Sequence, residues 1–424
     1  MPADHAWRAT SPETGGMGRR ELLRGASLAA VSAAIGAVIP FGRFMPAGYV
    51  PVALAQEAGL DFPGKSPELV VLGDKPLVAE TPAHLLDDEV TPTAVHYIRN
   101  NGQLPEPVAD PDAWTIVVDG EIERPLTMSL GELKGRFENV TYQLVLECGG
   151  NGRSQFVPAA KGNPWTTGGV GCARWTGVRL KDVLEATGPK PSAVYTAHYG
   201  ADPHLSGDPD KAALSRGVRL EKAMEPHTLI AFAMNGEPLP AVHGAPVRLL
   251  VPGWTGSASQ KWLTRVELRD REHDGQGMKG TSYRVPVVPL IPGTESKGEG
   301  FRILESMPVK SLITAPADGT RAPAGTRSLD VRGHAWAGDL DVQDVFVSVD
   351  FGQSWQQAEL EAPANRYAWR RWRTSLALPS EGYFEVWARA VDSEGRSQPF
   401  TAPNWNPGGY GGNAYHRIAV LVEA

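Results

Sequence analysis

Apolar and polar positions fall into two regimes along the chain. Between about residues 60 and 305, short apolar runs are mixed with loops and brief helical stretches. Thr115 to Asp119 reads as a strand that ends at an Asp119-Gly120 turn, and Ser129 to Phe137 as a helix capped by Ser129 with Glu132 three residues on. Gly177 to Thr187 predicts a short helix begun by Val178-Arg179-Leu180 and stopped by Gly188-Pro189. After a Pro-rich passage, Val285 to Pro292, strict alternation takes over from Ser311 onward. Val345 to Val349 ends at a turn over Asp350 to Gln353, and Tyr383 to Val391 ends at Asp392 to Gly395. Several short strands with regular turn signals predict an immunoglobulin-like β-sandwich that has no Cys pair. There is no internal repeat.

Composition narrows the class. A chain of 424 residues allows two or three domains, and Gly 47 with Pro 36 marks it as turn-rich while 42% hydrophobic residues suffice for buried cores. A formal net charge of −7 excludes a general nucleic-acid binder, which has to neutralise phosphates. Two cysteines exclude a disulfide framework and any multi-cysteine zinc or iron–sulfur centre built by this chain alone.

Residues 17–56 have the layout of an export signal: a basic start, an apolar stretch from Ala26 to Ile39, and Ala53-Leu54-Ala55 as the cleavage site. A membrane anchor over Leu22 to Ile39 is the other reading, but the run is short, rich in Ala and Gly, and closed by Pro40. Arg19-Arg20 followed by Leu22-Leu23 resembles a twin-arginine signal, a route that exports folded proteins, so the expected location is periplasmic or otherwise exported. Removal of 1–55 leaves 36 basic against 45 acidic residues, and no other segment could span a bilayer.

Candidate chemistry gathers at LVLECGGNGRSQF (144–156). Cys148 ends an apolar strand directly before Gly149-Gly150, where the backbone can turn tightly around a bulky group. A buried free thiol and a disulfide to Cys172 are the bland readings. Asn151, Arg153 and Ser154 suit instead a thiolate in an electropositive pocket. In GEPLPAVHGAPVRLLVPGWTGSASQKW (236–262), His243, Arg248 and Ser259-Gln260-Lys261 lie in loops able to hold a phosphate. Cys172, in GVGCARW, reads as a buried thiol or a redox partner of Cys148. His198 and His204 around Asp202 read as a metal site or as a loop near a cofactor. Trp355, Trp369, Trp372 and Trp387 read as core and interface aromatics.

Taken in order, Cys148 to Ser154, Trp165-Thr166-Thr167-Gly168, WTGVRLKDVL (175–184), HGAPVRLLVPG (243–253) and Lys261-Trp262-Leu263 resemble the molybdopterin domain of the sulfite oxidase family. SVDFGQSWQQAEL (348–360), WARAVDSEG (387–395) and Trp405-Asn406 through His416-Arg417 resemble that family's dimerisation domain. Bacterial sulfite dehydrogenases and the molybdenum subunit of the Sox-system sulfane dehydrogenase are the variants most alike. The resemblance implies an α+β fold: a leader over 1–55, a sulfite-oxidase-type molybdopterin domain over 56–305, and an all-β immunoglobulin-like sandwich over 306–424. It implies molybdenum held by a pyranopterin (molybdopterin), with Cys148 as the one protein ligand to the metal. Pterin contacts fall on Tyr97, Arg99, Asn100 and Asn101 of TPTAVHYIRNN (91–101) and on His243, Arg248, Ser259, Gln260 and Lys261. Arg99 and Arg153 match active-site arginines that hold the oxyanion.

Three positions depart from the family: Asn101 replaces a His, Leu214 stands where sulfite oxidases have a Tyr, and Gly408 where many have an Arg. The substrate is therefore expected to be a small sulfur oxyanion or a protein-bound sulfane. With no haem, flavin or iron–sulfur motif in the chain, a c-type cytochrome is the expected electron acceptor, and the expected assembly is a homodimer. A molybdenum S- or N-oxide reductase and a cofactor-free secreted binding protein are the competing readings.

Overall fold

The computed structural model describes residues 60–424. The export signal predicted over 17–56 lies outside them, and among the described residues no helix is long and apolar enough to cross a membrane. The first part of the chain contributes β1 (Val70–Asp74), β2 (Leu77–Glu80), β3 (Ile98–Arg99), β4 (Thr115–Gly120), β5 (Leu126–Ser129), β6 (Asn139–Glu147), β7 (Val170–Arg179) and β8 (Tyr195–Gly200). Then come β9 (Ser215–Arg216), β10 (Leu229–Met234), β11 (Glu237–Pro238), β12 (Arg248–Leu250), β13 (Leu263–Arg269), β14 (Arg284–Pro286) and β15 (Phe301–Ile303). Two five-stranded sheets dominate, one ordered β11-β10-β7-β6 with β12 on β10, the other β5-β4-β13-β8-β9. Their inner faces share a core that includes Val118, Val178, Ile230, Leu249 and Val266.

Helix α1 (Leu130–Arg136) begins as its sequence predicts. The Ser129 hydroxyl accepts the Glu132 N–H at 3.1 Å, and the Glu132 carboxylate accepts the Ser129 N–H at 2.7 Å. Helix α2 (Leu180–Thr187) starts three residues later than expected. Gly177 to Arg179 stay in β7, paired with Ala231 to Leu229 of β10, because extension of that buried sheet outweighs one more helical turn. Gly177 fits there because a Cβ would overlap the Ile230 carbonyl. Gly188, at φ +69°, ends α2 as predicted.

The sandwich follows: β16 (Lys310–Ala315), β17 (Thr320–Ala322), β18 (Ser328–Trp336), β19 (Val342–Ser348), β20 (Gln356–Gln357), β21 (Glu359–Leu360), β22 (Arg370–Ala377), β23 (Gly382–Asp392) and β24 (His416–Val422). One sheet runs β16-β18-β22-β21, the other β17-β24-β23-β19-β20. Alternate residues such as Val331, Val345, Val347, Val386 and Val420 close on Trp372 between them. Trp369 stacks on His334 at 3.9 Å, whereas Trp355 and Trp387 join Phe400 and Tyr415 in a separate aromatic cluster.

The sandwich is tied to the strand that carries Cys148. β6 is the edge of its sheet, and its outer backbone groups are taken up by the sandwich: the Val145 N–H donates to the Tyr367 carbonyl at 2.8 Å, and Asn365 donates to the Gln143 carbonyl at 2.8 Å. Glu147, buried at the end of β6, accepts from Lys310 Nζ, from Trp336 Nε1 at 2.8 Å and from Asn151 Nδ2 at 3.0 Å. Lys222 and Trp254 meet Asp339 in a second polar joint, at 2.6 and 2.8 Å.

Candidate active site

A cavity opens where β6 ends. The segment around β3 supplies His96, Tyr97, Arg99, Asn100 and Asn101. The turn before β12 supplies His243, β12 supplies Arg248, and the loop into β13 supplies Ser259, Gln260 and Lys261. Cys148 completes the wall, so the structure brings these residues together; all but His96 were nominated from the sequence. The Cys148 N–H is anchored to the Gly169 carbonyl at 2.8 Å. Gly149 is held tightly: a Cβ would lie 3.1 Å from Thr255 and 3.5 Å from the Tyr283 ring.

Arg153 goes elsewhere. Its guanidinium donates to the carbonyls of Gly408 at 2.8 Å and Asn163 at 2.9 Å, lies over Tyr410 at 5.2 Å, and is not on the cavity wall. It packs beneath the glycine turn, where a Cβ on Gly150 would collide with it. Gly408 thus meets Arg153 through its carbonyl, and Leu214 lines the cavity with an alkyl group.

The charge balance of the cavity is uneven. Arg248 donates to the carbonyls of His243 at 2.9 Å and Ser259 at 3.1 Å, and Lys261 donates to the Val242 carbonyl at 2.6 Å and to Asn100. Lys65, behind the wall, uses its three N–H groups on the carbonyls of Thr93 and His96, both at 2.6 Å, and on His243 Nε2 at 2.9 Å. His243 is therefore an acceptor at Nε2. Burial, then the charge of Lys65, holds both His96 and His243 well below the usual imidazole range, so both are neutral. Burial also lowers Lys65 to about 7 and Arg248 to about 10, and holds Lys261 well below an ordinary lysine. The one carboxylate on the wall, Asp202, is itself raised to about 6 by burial.

Several buried polar atoms of the lining residues have no protein partner: His96 Nε2, Arg99 Nη1, Asn100 Nδ2 and Gln260 Oε1. Clustered cations with one weak counter-charge, plus unfilled donors and an acceptor, fit an anionic, heteroatom-rich group such as a pyranopterin phosphate. A thiol at the same wall fits a soft metal ligand.

The remaining nominated residues separate cleanly. Cys172 is a free, fully buried thiol raised to about 12 by burial, so it is inert rather than a redox partner. His198 is buried against Thr196 at 2.8 Å, while His204 is exposed beside Ser206, and no cluster of metal-binding side chains occurs among the described residues. Sequence reasoning missed Lys65 and Tyr283. Neither lies in a recognisable motif; each reaches the site from a loop distant in the chain.

The fold and cavity define a molybdopterin oxidoreductase: residues 102–277 match the oxidoreductase molybdopterin binding domain, and 302–423 the Mo-co oxidoreductase dimerisation domain. The chain is 35% identical to rat mitochondrial sulfite oxidase over 85% of its own length and 67% of the relative's, and 35% identical to chicken sulfite oxidase over 86% and 80%. It also superposes on the sulfane dehydrogenase SoxCD of Paracoccus pantotrophus with a TM-score of 0.68 and 25% identity, over 89% of this chain and 94% of that one. The chain belongs to the sulfite oxidase family.

Proposed function

We propose that this enzyme oxidises a small sulfur oxyanion, sulfite in the first instance, to sulfate. The observation that carries this reading is Arg99, whose Nη1 is buried and unpartnered in the wall that also bears Cys148. Water supplies the added oxygen, and two electrons and two protons leave for each sulfite consumed. Tyr97, Asn100, Asn101, His243, Arg248, Ser259, Gln260 and Lys261 would hold the pyranopterin, and Cys148 would ligate the molybdenum. When bound, that group supplies oxygen-atom transfer and two-electron storage. The chain's own part is electrostatic: Arg99 orients the dianion, and the enclosed wall strengthens every charge–charge interaction by excluding water.

The electrons pass to a separate c-type cytochrome. The acidic surplus of residues 56–424 favours a basic partner, with a rate that falls as salt rises. The signal-like segment supports export to the periplasm. The dimerisation domain supports a homodimer, as do the exposed rings of Phe351 and Phe400, which pack on the buried Trp387 of the sandwich. A second reading, oxidation of protein-bound sulfane sulfur, is favoured by the alkyl wall at Leu214 and by the likeness to the sulfane dehydrogenase. Steady-state oxidation of sulfite by the purified holoenzyme, with cytochrome c as acceptor at rising ionic strength, tests the proposal. Turnover that slows with salt is expected. Turnover of a protein-bound sulfane but none of sulfite would transfer the assignment to the second reading.

A further inference from the structure

The cavity wall beyond Cys148 is built around a tyrosine in an unusual backbone state. Tyr283 lines the cavity, its ring packs on Gly149, and it is held at φ +50°, a left-handed conformation that a bulky side chain adopts only when its surroundings impose it. Its hydroxyl makes one long hydrogen bond, to Asn101 Oδ1 at 3.3 Å, which a better acceptor could displace.

Behind that ring lies Arg216. It is fully buried, stacks over Tyr283 at 4.7 Å and donates one N–H to the Gly277 carbonyl. Its Nε and Nη2 have no partner, and among the described residues no carboxylate forms an ion pair with it. The stack continues on the far side: Tyr283 meets Tyr410 at 4.9 Å, and Arg153 lies over Tyr410 at 5.2 Å. Two arginines and two tyrosines thus form one continuous cation–aromatic chain, which meets the cavity at Tyr283. A buried guanidinium with two unused donors is costly unless an anion approaches it. The aromatic pair between the cations gives each charge a partial partner without neutralising it.

We infer that Tyr283 is the hydroxyl that contacts the substrate's oxygens, and that Arg216 is the positioning residue that acts through its ring to make this end of the cavity selective for an oxyanion. The inference rests on the reading of a sulfur oxyanion as substrate. Leu214 and Gly408 contribute no polar side chain to this region, so the recognition they lack is supplied from the loop before β14 and from β9.

Sulfate, the unreactive oxyanion product, is the probe, titrated calorimetrically into the holoenzyme. Tyr283→Phe and Arg216→Gln are each expected to weaken sulfate binding tenfold or more, with molybdenum and pterin contents unchanged. Arg216→Lys should recover part of the loss. Arg216→Gln should melt no lower than the wild type, which a purely structural arginine would not allow. Should Arg216→Gln fail to fold, Tyr283→Phe keeps its ring contacts and carries the test alone. Wild-type sulfate affinity in Tyr283→Phe, or no sulfate binding by the wild type, overturns the inference. Because binding is read without turnover, a wild type that binds sulfate yet leaves sulfite untouched sinks the proposed reaction and leaves this pair standing.

Discussion

Glu147 and Cys148 are neighbours in the chain, yet the polar groups gathered around them are arranged in contrary ways. At Glu147 both carboxylate oxygens are taken, by Lys310, Asn151 and Trp336, and Lys310 also reaches the Asn151 carbonyl at 3.0 Å. On the Cys148 side, Lys65, Arg99, Arg248 and Lys261 converge with Asp202 as the one carboxylate, and donors are left without acceptors. The first cluster is closed and structural. The second is complete only when something anionic enters. Buried polar groups without partners persist where a ligand supplies the missing half, so the difference marks which of two equally buried clusters binds.

The sharpest way to test that contrast is to remove a cation from each side. Lys261→Met should cut the pterin and molybdenum content of the purified protein at least tenfold, while protein from a host without pterin synthesis should melt at or above the wild-type temperature, since an uncompensated charge has been removed. Metal analysis and calorimetry read the two arms. Equal cofactor loading in the variant would break the comparison. Lys310→Met should do the reverse and destabilise the same cofactor-free protein by about 3–5 kcal/mol, because it leaves the Glu147 carboxylate buried and unpaired. Denaturant unfolding measures this, and a loss under about 1 kcal/mol would show that the closed cluster is not structural.

The smallest effect concerns pH. Asp202 titrates near 6 in the folded chain against 3.8 for an ordinary aspartate, because burial disfavours its charge. The folded state therefore binds the extra proton, and its stability should fall by about 1–3 kcal/mol as pH rises through this window. Asp202→Asn should flatten that part of the curve in cofactor-free protein. A variant with the wild-type slope would place the titration elsewhere.

Local patterns were legible where a short stretch decides the outcome. The Ser129–Glu132 cap, the Gly188 stop and the alternation of the sandwich strands are all visible in the chain, whereas the start of α2 was hidden because Gly177 to Arg179 obey β10, which lies some fifty residues further on. The same distinction runs through the site. His243, Arg248 and Lys261 come from one contiguous stretch, and their grouping could be read from it. Arg153 stands five residues from Cys148, but adjacency in sequence does not give side-chain direction, and the glycine turn sends its guanidinium under the loop. Tyr283 lies in the loop before β14 and Arg216 in β9; they are joined only by the tertiary fold, and so left no mark in the linear text.

The clamp on Glu147 has a consequence for how the protein is made. Ribosomes deliver chains from the N-terminus, so the whole cavity wall, from Lys65 to Tyr283, is synthesised before Lys310 and Trp336 exist. Until those two residues emerge and dock, β6 has an open outer edge and Glu147 has no cation, and the turn bearing Cys148 lacks its final anchor. Retention of the metal group is therefore expected to require the docked sandwich, and a chain truncated before residue 310 should be unable to retain it.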